Sequence, residues 1–323
     1  MQFPPVFFYG IASRCAAALI ILSVGCASAL ANTWPLPPDG GRLVGKNDIH
    51  VVQQDGGSLE AIAKRYNVGF LALLQANPGI DPYVPQPGTV LTIPRQALLP
   101  DAPREGVVIN LAELRLYYYP ANQNKVVIFP IGIGQLGGDT LTPTMQTRIS
   151  EKRANPTWTP TANIRARYLA QGIELPAVVP AGPDNPMGHH AIRLAAYGGV
   201  YLLHGTNADF GIGMRVSSGC IRLRDDDIKW LFEQLPVGTK VNIINTPVKA
   251  SVEPDGRHLV EVHQPLSEHI DDDPQKLPIV LGEKMTQFRE SPGTDTRQLE
   301  QVIQLRQGMP VDITTPAGRP VQI

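Results

Sequence analysis

The sequence predicts a mainly β, α+β protein: a β-sandwich-like central domain, a small α+β domain before it and a C-terminal appendage. The 31 prolines and 30 glycines among 323 residues favour turns and short strands over a helical bundle. The run VVINLAELRLYYY alternates apolar and polar residues, as half-buried strands do. A turn at Pro120–Asn122 leads from it into NKVVIFPIGIG, so the two runs are predicted to form a hairpin. Helical patterns are few and short, so strands should dominate the largest domain.

Length and charge limit the classes of function. A chain of 323 residues is long enough for two or three domains, and 43% hydrophobic residues suffice for packed cores. The formal net charge of −1 and the sequence pI of about 6.7 provide no global positive field. We therefore expect no nucleic-acid partner.

Residues 1–31 have the pattern of a cleavable export signal. Arg14 precedes the run CAAALIILSVGCASALA, which is too short and too rich in small side chains for a membrane span and ends in a small-x-small cleavage pattern. A lipoprotein signal that uses Cys26 is the alternative, but Ser23 stands where that signal requires Leu, Val or Ile. We expect a periplasmic chain that starts at Asn32 and has no stable membrane insertion.

Cleavage at this site would leave one thiol. The three cysteines are Cys15, Cys26 and Cys220, and the first two lie within the export signal. An exported protein with a single cysteine has no internal disulfide partner, so Cys220 is either an inert buried side chain or a functional one. An unpaired thiol is a liability in an oxidising compartment, which favours the functional interpretation.

The N-terminal part divides into a leader and a compact unit. Residues 32–47 are rich in Pro and Gly and are predicted to be a leader segment on the surface. Residues 48–95 follow the order strand (IHVVQQ), helix (SLEAIAKRYN), helix (VGFLALLQANPGI) and strand (PGTVLTIP). Ser58 is the expected N-cap of the first helix. Four residues share the apolar face of that helix: Leu59, Ile62, Ala63 and Tyr66.

This unit resembles a LysM domain, and GGSLEAIAKRY, LLQANPGID and PGTVLTIP carry the resemblance. The resemblance implies binding to glycans that contain N-acetylglucosamine, such as peptidoglycan. GGSL stands where the family usually has Gly-Asp-Thr-Leu, so a spacer without glycan binding is the alternative.

Residues 104–246 form the strand-rich domain, and residues 247–323 form a C-terminal accessory region. VYLLH is predicted as a buried strand that ends at His204, and DDDIKWLFEQLPVG as a helix with carboxylates in its first turn. The C-terminal region contains the strand-like HLVEVHQPLS, the charged loop DDDPQK, and a helix from about Asp295 to Arg306 that is followed by a strand. It contains no motif that indicates a function.

The stretch HGTNADFGIGMRVSSGCIRLR places His204 sixteen positions before Cys220. A thiol requires a nearby base to become a nucleophile at neutral pH, and glycines allow backbone amides to turn toward a reacting carbonyl. The spacing and motifs resemble the L,D-transpeptidases of the YkuD type, and the resemblance extends over the whole central domain. PIGIGQ, TPTM, PTWTPTANIR and PAGPDNPMG also contribute to it.

The catalytic roles can be assigned from the chemistry and from this resemblance. Cys220 is the expected nucleophile and His204 its base. The resemblance implies that the carbonyl of Gly205 accepts the imidazole N–H and fixes its tautomer; Asp209 is the alternative orienting residue. The amides of Gly219 and Cys220, with that of Ser218, are expected to bind the oxyanion.

Three further residues are expected at the substrate site. Arg222 returns to the face of Cys220 along a strand, where it would hold a substrate carboxylate or lower the pKa of the thiol; a surface ion pair is the alternative. Met187 and Gly188 are expected to border the groove.

Ser218 replaces the histidine that many family members carry in Ser-His-Gly-Cys, which we expect to adjust substrate choice or thiol pKa without abolishing activity. Adjacent residues point to opposite faces of extended chain, so His189 and His190 are a poor chelating pair. No metal and no cofactor are expected.

The resemblance implies an exported cysteine acyltransferase that acts on peptidoglycan stem peptides. The thiol would attack the diaminopimelate carbonyl of a tetrapeptide and release D-alanine. The overall layout looks most like the group that attaches the Braun lipoprotein of Gram-negative bacteria, with the lipoprotein's C-terminal lysine as acyl acceptor. Three alternatives remain: 3→3 diaminopimelate crosslinking, hydrolysis as a carboxypeptidase or lipoprotein-releasing enzyme, and a non-catalytic wall-binding protein.

Overall fold

The computed structural model describes residues 32–136 and 140–316. The predicted export signal, with Cys15 and Cys26, lies outside these residues. Among the described residues, no helix has the length and apolar character needed to cross a membrane.

The helices and strands are numbered in chain order. The helices are α1 (Leu59–Tyr66), α2 (Phe70–Ala76), α3 (Ala162–Leu169), α4 (Asp225–Gln234), α5 (Glu283–Glu290) and α6 (Thr296–Leu305). The first strands are β1 (Thr33–Pro35), β2 (Leu43–Val44), β3 (Asp48–Val51), β4 (Val90–Ile93), β5 (Ala97–Leu98), β6 (Gly106–Asn110), β7 (Arg115–Tyr119), β8 (Lys125–Pro130) and β9 (Ile133–Gly134). The later strands are β10 (Met145–Ala154), β11 (His190–Leu194), β12 (Leu202–His204), β13 (Arg215–Ser217), β14 (Ile221–Arg222), β15 (Lys240–Ile244), β16 (Val248–Val252), β17 (His258–Val262) and β18 (Val311–Asp312).

The predicted strand-rich α+β class is confirmed. Nine strands form one mixed sheet in the order β1-β8-β7-β6-β15-β10-β11-β12-β14. The predicted hairpin is β7–β8, paired antiparallel from Arg115 opposite Pro130 onward. One large apolar cluster includes residues of β6, β12 and β15 and of α4, and a second cluster forms around Tyr117. The sheet therefore separates two cores, and its β12–β14 edge carries His204 and Cys220.

The LysM-like unit has the predicted order of strand, helix, helix and strand. Ser58 caps α1 because its side chain accepts the amide of Ala61. The predicted apolar face of α1 is buried at Leu59, Ile62 and Ala63, and Tyr66 packs against the same core. Strands β3 and β4 pair antiparallel behind the two helices.

Residues 32–47 are more than the surface leader that their Pro and Gly content predicts. Strand β1 pairs antiparallel with β8 and forms one edge of the large sheet, and β2 pairs with β5. Pro35 is compatible with this position because an edge strand can lack a ladder donor. The Asn32 side chain is buried and links the carbonyl of Asn67 to the guanidinium of Arg95.

The LysM-like unit contacts the loop between His204 and Cys220. Lys64 Nζ lies 2.7 Å from an oxygen of Asp209, and the amide of Phe70 donates to the carbonyl of Ile212. Gly69 and Gly213 pack so closely that a Cβ on Gly213 would lie 2.4 Å from the Gly69 Cα. The loop residues in these contacts, Asp209, Ile212 and Gly213, are not among those that line the groove described below.

The C-terminal region forms a core of its own, in which β16, β17 and β18 pack against α5 and α6. The predicted helix is confirmed, with Asp295 as its N-cap. A buried ionic network joins this region to the central sheet. Its members are Glu113, Arg115, Lys249, Glu261 and His263.

Candidate active site

Two neighbouring parallel strands bring the motif residues together. In β12 and β14, Leu203 lies opposite Ile221 and His204 lies opposite Arg222. Side chains two positions apart on a strand share a face, so Cys220 and Arg222 extend on the same face as His204. All three line one groove of about 590 Å³.

The Cys220 thiol is half-buried at the wall of this groove. Its Sγ lies 3.8 Å from the carbonyl oxygen of Val200. Burial raises the pKa of the thiol, and the Leu202 amide and the charges of Arg222 and Arg193 oppose that rise. The resting thiol is therefore protonated at neutral pH and needs a base to become a nucleophile.

His204 is a buried imidazole whose tautomer is fixed. Its Nδ1 lies 2.6 Å from the carbonyl oxygen of Gly205. A carbonyl can only accept, so Nδ1 carries the proton and Nε2 has the free lone pair. Burial, and next the charge of Arg222, lower the pKa of His204 to about 4. The imidazole is thus neutral at pH 7 and able to accept a proton.

The alternative orienting residue is engaged elsewhere, since Asp209 forms its ion pair with Lys64. The close backbone approach behind His204 instead depends on two glycines. A Cβ on Gly205 would lie 2.3 Å from Asp225 Oδ1, and a Cβ on Gly188 would lie 2.4 Å from the same atom. Gly188 therefore supports the histidine strand from behind, whereas its neighbour Met187 lines the groove.

Hydroxyl groups hold the loop that presents the thiol. Ser217 Oγ donates to the carbonyl of Cys220 at 2.5 Å and accepts the Gly219 amide at 3.2 Å. Thr142 Oγ1 donates to the carbonyl of Gly219 at 2.8 Å. Gly219 has a φ of +106°, a value that L side chains rarely adopt. The Gly219 amide, expected at the oxyanion, therefore has Ser217 as its partner in this structure.

Similarities to known proteins agree with this geometry. Residues 104–243 match the L,D-transpeptidase catalytic domain family, residues 49–94 match the LysM domain family, and residues 247–313 match the L,D-transpeptidase C-terminal domain family. The chain is 51% identical to "Probable L,D-transpeptidase YbiS" of Escherichia coli (strain K12) over 289 residues, 88% of this chain and 93% of that protein. It is 77% identical to "Probable L,D-transpeptidase YcfS" of the same organism over 285 residues, 88% of this chain and 89% of that protein.

The chain belongs to the L,D-transpeptidase family. It is an L,D-transpeptidase of the YcfS, YbiS and ErfK type. "Probable L,D-transpeptidase ErfK/SrfK" of Escherichia coli (strain K12) is 48% identical over 306 residues, 93% of this chain and 96% of that protein. The C-terminal region, in which the sequence analysis found no motif, is thus a recognised part of such transpeptidases.

The groove of this transpeptidase is lined by arginines and by no carboxylate among the described residues. Glu151, outside the groove lining, pairs with Arg153 at 2.6 Å and with Arg193 at 3.0 Å. Arg222 forms no ion pair with a described residue, and its buried Nε has no partner there. The structure thus gives Arg222 no carboxylate partner among the described residues.

Sequence reasoning missed Arg167 and Arg193 at the transpeptidase groove. Arg167 lies on α3 and Arg193 on β11, remote in sequence from the motif. The helical period of TPTANIRAR places Thr161, Ile164 and Arg167 on one face, but no sequence signal indicates what that face covers.

His189 and His190 contact different partners, as expected for adjacent residues of extended chain. His189 Nδ1 lies 2.5 Å from Asp225, and the His190 ring packs against Phe232. Among the described residues, one group has the spacing of a metal site: Glu113, Glu261 and His263. It lies within the buried ionic network, where the cations of Arg115 and Lys249 already contact both carboxylates.

Proposed function

We propose that this L,D-transpeptidase uses Cys220 as its nucleophile and His204 as its base on peptidoglycan tetrapeptide stems. The observation that carries the proposal is the neutral, tautomer-fixed His204 on the same strand face as the only thiol of the described residues. A neutral imidazole and a neutral thiol are the correct starting state for proton transfer.

The reaction proceeds in two steps, acylation of the thiol and transfer of the acyl group to an acceptor. His204 Nε2 takes the thiol proton while Sγ attacks the carbonyl at the L-centre of meso-diaminopimelate. The tetrahedral intermediate collapses to a thioester, and D-alanine leaves with the proton from His204. An acceptor amine then attacks the thioester, transfers a proton to His204 and forms a new amide. The thiol recovers its proton from the imidazole.

Backbone amides and Arg222 assist these steps. Because Ser217 Oγ holds the Gly219 amide, the amides of Ser218 and Cys220 are the better oxyanion donors. Arg222, whose buried Nε has no partner among the described residues, would bind a carboxylate of the stem peptide. Met187 borders the site, and Gly188 and Gly205 allow the close packing behind His204.

The LysM match supports binding of the chain to peptidoglycan, and the acyl acceptor we propose is the C-terminal lysine of the outer-membrane lipoprotein. These partners require export to the periplasm. Crosslinking to a second diaminopimelate and hydrolysis by water use the same thioester and differ only in the group that resolves it.

Trapping of the thioester tests the nucleophile. We expect purified protein treated with a carbapenem to gain one acyl group, measured by intact mass, and Cys220→Ala to gain none. His204→Gln should slow the reaction strongly, while the exposed control His269→Gln should react at the wild-type rate. An equal adduct on Cys220→Ala would refute the thiol nucleophile.

Product analysis tests the acceptor. We would incubate the protein with sacculi that carry tetrapeptides, with and without the lipoprotein, and analyse the muropeptides. Lysine-containing remnants support lipoprotein attachment. Tripeptides alone indicate hydrolysis, and 3→3 dimers indicate crosslinking; either result without lysine remnants contradicts the attachment proposal.

A further inference from the structure

We propose that Arg167 is a specificity-determining residue that binds a carboxylate of the peptide in the groove. This inference rests on the proposed function, since it assigns a substrate contact to the same site. The carboxylate comes from the acyl donor or from the acceptor, and the experiment below separates these two sources.

Helix α3 places Arg167 over the groove without burying it in a core. Thr161, Ile164 and Arg167 recur at helical spacing, and all three line the groove. No residue of α3 is fully buried. The helix is instead held by Arg165, whose guanidinium donates to the carbonyls of Pro160 and Ala177. Core packing therefore does not dictate which residues lie on its groove-facing side, and that side can carry residues that contact a ligand.

The partner of Arg167 is a neutral hydroxyl. Its Nη2 donates to Ser218 Oγ at 2.6 Å, and it forms no ion pair with a residue that the structure describes. A guanidinium has five N–H donors arranged to fit a carboxylate. Charge-assisted hydrogen bonds of this kind are about twice as strong as neutral ones, so a ligand carboxylate would compete effectively with the Ser218 hydroxyl.

Arg167 and Arg222 flank the thiol. Arg167 reaches Ser218, two positions before Cys220, and Arg222 lies two positions after it. The other two groove arginines, Arg153 and Arg193, are paired with Glu151. The free positive charges of the described groove are thus on both sides of the nucleophile, an arrangement that fits a peptide with more than one carboxylate.

Ser218 acquires a role in this arrangement. Family members with histidine at this position would present a bulkier ring toward α3, whereas the serine hydroxyl accepts from Arg167 and keeps the guanidinium beside the thiol loop. The substitution therefore couples to Arg167 and not to the base, which is His204.

The test compares Arg167→Gln with the exposed control Arg297→Gln, using tetrapeptide donors whose carboxylates are free or amidated. Loss of one charge-assisted contact should raise KM about 10- to 100-fold for the peptide that supplies the carboxylate, donor or acceptor, and little for its amidated form, with kcat nearly unchanged. Iodoacetamide, which is uncharged, should alkylate Cys220 at the same rate in both variants and in wild type.

Two arms identify the source of the carboxylate. A defect in D-alanine release without acceptor assigns the donor, and a defect only in transfer to an amine that bears a carboxylate assigns the acceptor. An unchanged KM in both arms, or equal defects with amidated peptides, overturns the inference while the proposed function stands. If wild type forms no thioester with the donor, the proposed function fails and the inference fails with it.

Discussion

His204 Nδ1 and the carbonyl oxygen of Gly205 lie 2.6 Å apart, within consecutive residues of one chain. In the proposed mechanism this contact takes the place of the carboxylate that orients histidine in many catalytic triads. A carboxylate would raise the pKa of the imidazole through its charge, whereas a carbonyl dipole does so weakly. Burial and Arg222 consequently dominate, and the pKa of His204 falls to about 4.

The positive charge of Arg222 should shift the acidic limit of thiol reactivity to lower pH. Protonated His204 cannot accept the thiol proton, so the alkylation rate of Cys220 falls as pH decreases through the histidine pKa. Arg222→Gln removes a charge that lowers this pKa, and the acidic limb should move to higher pH. Burial, the larger cause, should keep the limb below pH 6.5.

The measurement is the rate of Cys220 alkylation by iodoacetamide between pH 3.5 and 7, which avoids titration of a substrate. The exposed control Arg297→Gln should retain the wild-type limb. A limb that stays in place or moves to lower pH in Arg222→Gln would contradict the electrostatic explanation.

Much of the site follows from local sequence. The strand VYLLH, the glycines around it and the Ser217–Cys220 turn are specified by neighbours in the chain, so the sequence alone predicts His204 and Cys220 as a pair. It does not predict Arg167, because its place at the groove depends on how residues 155–188 cross the sheet edge. The sequence also predicts the Gly219 amide at the oxyanion. It does not show that this amide donates to Ser217, because that hydrogen bond depends on the geometry of the loop.

The sequence also does not predict the buried ionic network, although its charged members stand out within apolar runs. Glu113 and Arg115 interrupt the apolar run VVINLAELRLYYY, and Glu261 interrupts HLVEVH. A charged side chain within a strand pattern is compatible with either a solvated face or a buried pair, and only the three-dimensional partner distinguishes them. For Glu113, that partner is Lys249, which lies on a strand more than a hundred residues further along the chain.

Removal of Lys249 should severely destabilise the protein. Its side chain is 1% exposed and its Nζ lies 2.8 Å from Glu113 and 3.1 Å from Glu261. Lys249→Met leaves two buried carboxylates with less compensation, so we expect the free energy of unfolding in guanidinium chloride to fall by about 3–5 kcal/mol. The control Lys276→Met removes an exposed pair with Asp273 and should change it by less than about 1 kcal/mol.

Partial rescue would identify the cause of the Lys249 effect. Glu113→Gln in the Lys249→Met background removes one uncompensated charge, and the double variant should lose less stability than the sum of the single losses. Strict additivity would mean that the two side chains do not interact energetically.

Gly213 should be required for docking of the LysM-like unit. A Cβ at this position would lie 2.4 Å from both Gly69 Cα and the Phe70 amide nitrogen. Gly238 has a similar positive φ but no atom within 4 Å of its Cβ position, which makes it a matched control. Alanine in the left-handed region costs about 1–2 kcal/mol at either site, and Gly213→Ala should lose about 1–3 kcal/mol more. Urea unfolding measures the difference; equal losses would refute the steric explanation.

Asp227 should make the same interface sensitive to pH. Its Oδ1 accepts from Asn67 at 2.8 Å, and its buried Oδ2 has no partner among the described residues. Burial raises the pKa of this carboxyl to about 7, against the opposing effects of Arg224 and Asn67.

The folded protein therefore retains a proton on Asp227 that the unfolded chain loses near pH 4. Because the native state binds more protons between these values, the contribution of Asp227 to stability decreases as pH rises from about 4 to 7. Asp227→Asn cannot ionise and should lack this decrease. Relative to wild type, the variant should gain on the order of 2–3 kcal/mol between pH 5 and pH 8, measured by urea unfolding at both values. Asp271→Asn, at an exposed residue of the C-terminal region, is the control and should keep the wild-type dependence. A wild-type slope in Asp227→Asn would show that the carboxyl is already ionised in the folded protein at pH 5, and that Arg224 and Asn67 compensate its charge.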